Sequence, residues 1–243
     1  MGTSRVIAAA ALAAALLLGA CGGGDPASSP STTTGGAGTT ASGAAPTTTV
    51  AATTSTTRSP ESLKAALLQP GDLPGATSSP ADPSDSDLSA CFPGNPLGSK
   101  SDPGEVDSPD FELTRGTVSR NYSSAARVAT SEQASAFVST FASATGSACV
   151  VKQVKAFLAE PPDPIDASGL SGQATTVSVA DLGANLRISG SVGPGGQSGR
   201  LVLEVIAFHK GPVVVLLFVG AFGGDVIGGQ GVELARKIAG RLP

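Results

Sequence analysis

Residues 200–222 read RLVLEVIAFHKGPVVVLLFVGAF. Two apolar runs are separated by little more than one glycine, Gly211. Each is rich in the branched and aromatic residues that favour strands. So short a connection brings the second run back beside the first, as an antiparallel hairpin. Residues 213–219 have no polar position to turn toward water, which places that strand inside a sheet rather than at its rim.

The neighbouring stretches extend this pattern. In NLRISGSV, Leu186, Ile188 and Val192 share one face and Arg187, Ser189 and Ser191 the other, the period of a half-buried strand. GPGGQSG at 193–199 reads as a loop. FELTRGTVSRNYSSAARVA at 111–129 reads as one extended segment, with Val118, Tyr122, Ala126 and Val128 on one parity and Arg120 breaking it. Thr130 and Gln133 match a capping box and open a helix with Ala134, Phe137, Val138 and Phe141 on one stripe. Gly146 interrupts it. A second helix is expected from about Ser147 to Ala159, stopped by EPPDPID. GGDVIGGQG leads into a closing helix with Val232, Leu234, Ala235, Ile238 and Leu242 apolar. Ser59-Pro60-Glu61 is a helix start, with a capping hydroxyl, proline at the first position and an acid in the first turn. Residues 76–110, dense in Pro, Asp, Ser and Gly, are expected to be irregular, with Leu88, Cys91 and Phe92 as buried candidates. The expectation is one α+β domain over residues 60–243. It would carry an antiparallel sheet of about four to five strands with helices packed on it.

The preceding residues cannot join that core. Residues 22–59 are Gly, Ser, Thr, Ala and Pro with only Asp25 and Arg58 charged; they have too little to bury to offset their own chain entropy. As a flexible linker they span roughly 30–37 Å. Residues 1–20 carry Arg5, then an uninterrupted apolar stretch over 6–18, then Gly19 and Ala20, the layout of an export signal. Leu18-Gly19-Ala20-Cys21 resembles the bacterial lipobox. That resemblance implies a diacylglycerol on the Cys21 sulfur and cleavage just before it. Two acyl chains give stable anchoring where one is marginal. The implied location is the outer face of the cytoplasmic membrane.

The chain has three cysteines. With Cys21 as the lipidation site, Cys91 and Cys149 remain, and in an exported domain a disulfide between them is the default. Two free thiols and a redox pair are the alternatives; the latter usually has CxxC-type spacing.

Catalytic signals are sparse. The one histidine, His209, ends a strand beside Lys210 and Gly211 with no carboxylate–histidine spacing around it; an exposed or packed strand-end residue explains it better than a metal ligand or a base. GQSG lacks the nucleophile elbow. GNPLGSKS at 94–101 has Ser99 between Gly98 and Lys100, so it is not a phosphate loop. Asp82, Asp85 and Asp87 lack the spacing of a calcium loop. Asn121-Tyr122-Ser123 matches a glycosylation sequon by pattern only, inside an expected strand. With 14% charged residues and a net charge of −4, the chain offers no basic surface for nucleic acid. No metal site, cofactor or catalytic residue is expected.

The order is a lipobox, a Thr/Ser/Gly linker, LKAALLQPGDLPG, one cysteine before the first strand and one after the capped helix, then VVVLLFVG and LARKIAGRL. It resembles the exported lipoproteins of actinobacteria, including mycobacteria. Residues 60–243 are similar to the sensor-type domain that forms the extracellular part of a mycobacterial receptor serine/threonine kinase. The resemblance implies an antiparallel sheet with helices and a ligand-binding cleft, and brings no catalytic residues. Members of that family commonly carry two disulfides; this chain has cysteines for one beyond Cys21. The leading expectation is a membrane-anchored, non-enzymatic, ligand-binding or sensor-like lipoprotein. The alternatives are a lipid carrier with an apolar cavity, an envelope protein-interaction module and a hydrolase using His209. The ligand-binding residues and any protein partner are not read from the sequence.

Overall fold

The structure, a computed structural model, describes residues 59–81, 91–92, 105–159, 164–193, 199–225 and 228–243. The leader, the linker and Cys21 lie outside the described residues, as do Asp82, Asp85, Asp87 and residues 94–101.

Strands β7 (Gly199–Lys210) and β8 (Val213–Phe222) form the expected hairpin, paired from Leu201↔Phe222 to Lys210↔Val213. Gly211 turns it with φ +55°, a conformation that glycine adopts without a Cβ penalty. Against β7 lies β6 (Leu182–Val192), and beyond it β5 (Ser171–Val177) forms one edge. On the other side β8 pairs with β4 (Val118–Val128), which pairs with β3 (Asp110–Arg115) and β2 (Val106–Asp107); β1 (Thr77–Ser79) follows β3. All pairings are antiparallel.

The sheet therefore has eight strands among the described residues, larger than the four to five expected. The excess has physical causes. β1 and β2 are three and two residues long, too short for a period. β5 is a rim strand, largely exposed and without apolar alternation. Residues 111–129 are two strands, because Gly116, at φ +61°, turns the chain between Arg115 and Val118.

β7 and β8 are apolar on both faces because both faces are covered. On one face pack α2 (Ser131–Ala142) and α3 (Ala144–Leu158), burying the stripe Ala134, Phe137, Val138 and Phe141 together with Val150 and Val154 against Leu186, Ile188, Leu203 and Val205. On the other pack α1 (Pro60–Ala66) and α4 (Gln230–Arg241), burying Leu63, Leu67, Leu234 and Ile238 against Ile206, Val215, Leu217 and Val219. Ser59 caps α1 and the Thr130–Gln133 box caps α2, as their side chains predict. The break between α2 and α3 falls at Ser143, earlier than Gly146. Ser143 caps α3 by accepting from the Gly146 N–H at 3.0 Å. A Cβ on Gly146 would stand 2.0 Å from the Thr140 carbonyl oxygen, so this glycine permits the close junction of the two helices.

Cys91 and Cys149 are joined by a disulfide. It ties Cys91 to α3, and the adjacent Phe92 ring packs 4.4 Å from Phe137 and 6.4 Å from Phe141, centroid to centroid. Among the described residues no single helix is long and apolar enough to cross a membrane.

Candidate functional site

Pleating and register bring one row of residues together on the α2–α3 face: Glu112 on β3, Asn121 on β4, Gly220 on β8 and Leu203 on β7. Along β8 the same face carries Phe218, Gly220 and Phe222, because side chains alternate. Gly220 thus leaves a notch between two phenylalanines in a central strand. Its backbone is buried, yet a Cβ there would meet nothing nearer than Leu203 Cδ1 at 4.0 Å. Close packing does not demand a glycine here. Glycine inside a strand weakens it and often marks a bulge, a bend, or the close approach of a ligand or another backbone.

Asn121 faces this notch across the β4–β8 pair. It is 5% exposed, and its Nδ2 is buried with no hydrogen-bond partner. Buried polar groups are nearly always paired, and leaving one unpaired costs about 1–3 kcal/mol. The flanking positions on β4 are Ser119, opposite Phe222, and Ser123, opposite Phe218. The buried Ser119 hydroxyl donates to Glu112 Oε1 at 2.9 Å, and the Thr114 hydroxyl donates to the same oxygen at 3.2 Å. The missing side chain at Gly220 leaves a recess one Cβ deep, between apolar neighbours (Leu203, Phe218) and polar ones (Asn121, Ser119, Glu112). It offers a donor in need of an acceptor.

A second polar group lies on the opposite face. Glu204, 4% exposed, is directly opposite Arg187 and Val219, and Val219 is opposite Tyr122. Arg187 donates to Glu204 Oε1 at 2.6 Å and to Asp225 Oδ1 at 2.5 Å. Arg120 donates to the Asp225 carbonyl, and the Tyr122 hydroxyl donates to Gln230 Oε1 at 3.2 Å. Gly231, in the first turn of α4, sits so near that a Cβ would lie 3.0 Å from Glu204 Oε2. Burial pushes the Glu204 carboxyl up from its usual range, Arg187 draws it part of the way back, and the Asp225 charge pushes it up again. This network is partnered throughout and fastens the start of α4 to the sheet. The far end of α4 is held likewise. Arg241 forms a bidentate pair with Asp72 at 2.9 and 2.8 Å and donates to the Ala66 and Leu67 carbonyls.

His209 is 7% exposed at the end of β7. Its Nδ1 lies 3.1 Å from the Gly211 carbonyl and 3.9 Å from Asp181 Oδ2. Gly211 N–H donates to the same Asp181 oxygen at 2.6 Å. His209 therefore braces the hairpin turn, the packed strand-end role. It stands at the opposite end of β8 from the notch, beside Val214. Among the described residues no group of three or more His, Cys, Asp or Glu is placed to hold a metal ion.

Sequence reasoning missed Asn121, Gly220 and Glu204, although each leaves a trace. Gly220 interrupts the apolar run VVVLLFVGAF, and Glu204 is the lone acid in LVLEVIAF. Asn121 is visible as a poor strand former in SRNYSS and as the first residue of a sequon, and neither signal points to Gly220; the register sets the two side by side.

No family model matches this chain, and no curated protein matches it. A solved structure, that of LpqN, involved in cell envelope biogenesis of Mycobacterium tuberculosis, is 12% identical over 58% of this chain and 84% of that chain, with a TM-score of 0.27. An overlap of that extent carries nothing about fold or role from one chain to the other.

Proposed function

We propose that this chain is a lipid-anchored protein on the outer face of the cytoplasmic membrane, tethered through Cys21. In this reading its α+β domain is a non-enzymatic, sensor-like module that binds a ligand at the Asn121–Gly220 recess. The anchor is supported by the charged, apolar and small-residue segments ending in Leu18-Gly19-Ala20-Cys21. The binding role is carried by one observation: the Asn121 amide is buried without a partner beside Gly220, a central-strand glycine that could take a Cβ without a clash. A folded domain keeps a desolvated donor at a cost, and a ligand acceptor repays it.

Two experiments test this. The full chain expressed with radiolabelled palmitate should take up label that Cys21→Ser abolishes; label retained in that variant overturns the anchor. Mass spectrometry of molecules extracted from purified wild-type chain should show a species absent from Asn121→Leu. Identical extracts overturn the binding site.

A further inference from the structure

We infer that the domain binds a phosphate monoester group where Arg120, Arg187 and Arg200 gather around Asp225. The site lies on the α4 face, opposite the Asn121–Gly220 recess, and does not depend on the reading of that recess.

The three arginines stand apart in the sequence and come from three strands, β4, β6 and β7. Register brings them together. Arg187 is opposite Glu204, Glu204 opposite Val219, and Val219 opposite Tyr122. Arg120 and Arg200 lie at even spacings from Tyr122 and Glu204 along their own strands, so all three side chains share one face. Asp225 joins them. Arg187 Nη2 donates to Asp225 Oδ1 at 2.5 Å, Arg120 donates to the Asp225 carbonyl oxygen from Nε at 3.3 Å and from Nη2 at 3.2 Å, and Arg200 Nη2 lies 3.7 Å from Oδ2.

Guanidinium groups drawn to one residue repel one another unless an anion lies among them. Asp225 supplies that anion, and its carboxylate marks where an acidic group sits. The Asp225 side chain is 52% exposed and that of Arg200 61%, so the place is open to solvent and needs no cavity. Arg200 is the least engaged of the three. A separation of 3.7 Å is too long for a hydrogen bond, and its guanidinium makes none among the described residues. A guanidinium has five donors in a planar fork; Arg120 and Arg187 each use two in these contacts and in the Arg187–Glu204 bond. The stretches next to the site in the sequence, 193–199 and 226–229, carry no charged residue.

The arginine fork matches carboxylate and phosphate alike. A ligand carboxylate would exchange with Asp225 like for like. A phosphate monoester carries roughly −1.5 to −2 charge and three strong acceptor oxygens, so it outcompetes a single carboxylate for Arg200 and for the remaining donors of Arg120. Asp225, on the surface, swings aside. It balances the arginines in the free protein and competes with the ligand for them. The same group is offered by a soluble phosphate and by a lipid headgroup such as phosphatidic acid.

The test uses the isotope-labelled full chain carrying Cys21→Ser, so that no lipid is attached. The Nε–H signals of Arg120 and Arg200 are assigned by their loss in Arg120→Gln and Arg200→Gln, and the backbone amide spectrum checks that each variant folds. They are followed by NMR against inorganic phosphate, glycerol 3-phosphate and acetate at constant pH and ionic strength. The expected result is a saturable shift with both phosphates and none with acetate. In Asp225→Asn phosphate should bind about fivefold more tightly, the effect of removing one like charge about 4 Å away in water. In Arg200→Gln, read at Arg120, binding should weaken by a similar factor. Co-sedimentation with phosphatidylcholine vesicles, with and without phosphatidic acid, separates the sources. Sedimentation that needs both phosphatidic acid and Arg200 supports the site and assigns a lipid headgroup; a phosphate shift without it supports the site and assigns a soluble ligand. Silence toward both phosphates and toward phosphatidic acid overturns the site. An acetate shift as large as that with phosphate overturns the phosphate assignment, and weaker phosphate binding in Asp225→Asn overturns the competitor role of Asp225.

Discussion

Replacing Cys91 and Cys149 together by serine removes the disulfide without leaving a stray thiol. The bond closes a loop with a sequence separation of 58, for which chain entropy gives about 4 kcal/mol of stabilisation. The bond also fixes Phe92, whose ring fills the space beside Phe137 and Phe141. The loss is thus at least the entropic figure if Phe92 leaves its seat. For a domain of this size each kcal/mol corresponds to roughly 2–4 °C in Tm, so the double variant should melt roughly 8–16 °C lower. The measurement is denaturant unfolding of both proteins, with the wild type repeated under reducing conditions. The reduced wild type should coincide with the double variant. A loss below about 1 kcal/mol would refute the reasoning, since the loop would then be closed by its packing alone.

Other outcomes follow from single contacts. Phe137→Ala, at a side chain 1% exposed, should cost about 3–5 kcal/mol in denaturant unfolding; a cost near zero would mean that the α2 stripe is not core. Gly146→Ala should cost about 1–3 kcal/mol, because its Cβ would meet the Thr140 carbonyl oxygen at 2.0 Å, and circular dichroism melts would reveal it. Glu204 should give a pH signature of defined sign. Its folded pKa is raised, so between the unfolded and folded values the native state holds the extra proton. Stability from this group is then full below the unfolded value and is lost as pH rises through the folded one. Wild-type stability minus that of Glu204→Gln should fall from pH 4 toward neutrality; a difference that rises with pH would contradict the assignment.

Much of the core was legible because its residues obey a period. The α2 stripe, the capping box at Thr130, the start of α1 at Ser59-Pro60 and the β7–β8 hairpin all rest on local rules, and tertiary packing agrees with them. The failures lie where local rules are silent. β5 is a polar, largely exposed edge strand, so it has no alternation to detect. Gly116 alone signals the turn within residues 111–129, and a single glycine reads equally as a weak point in one strand. The second helical layer was not anticipated, although the doubly apolar β8 calls for it. The recess was illegible for a different reason. Asn121 and Gly220 are 99 positions apart in the numbering and meet only through the β4–β8 register, which no local pattern encodes.

The central claim is that the unpartnered Asn121 amide is kept for a ligand rather than for the fold. Unfolding free energies of the wild type and Asn121→Leu, measured on ligand-free protein, test it most directly. Leucine removes the desolvated amide and keeps its shape, so the account predicts that the variant is about 1–2 kcal/mol more stable while it no longer retains what the wild type binds. A variant less stable than the wild type by a similar margin would show that Asn121 serves the fold, and would contradict the account.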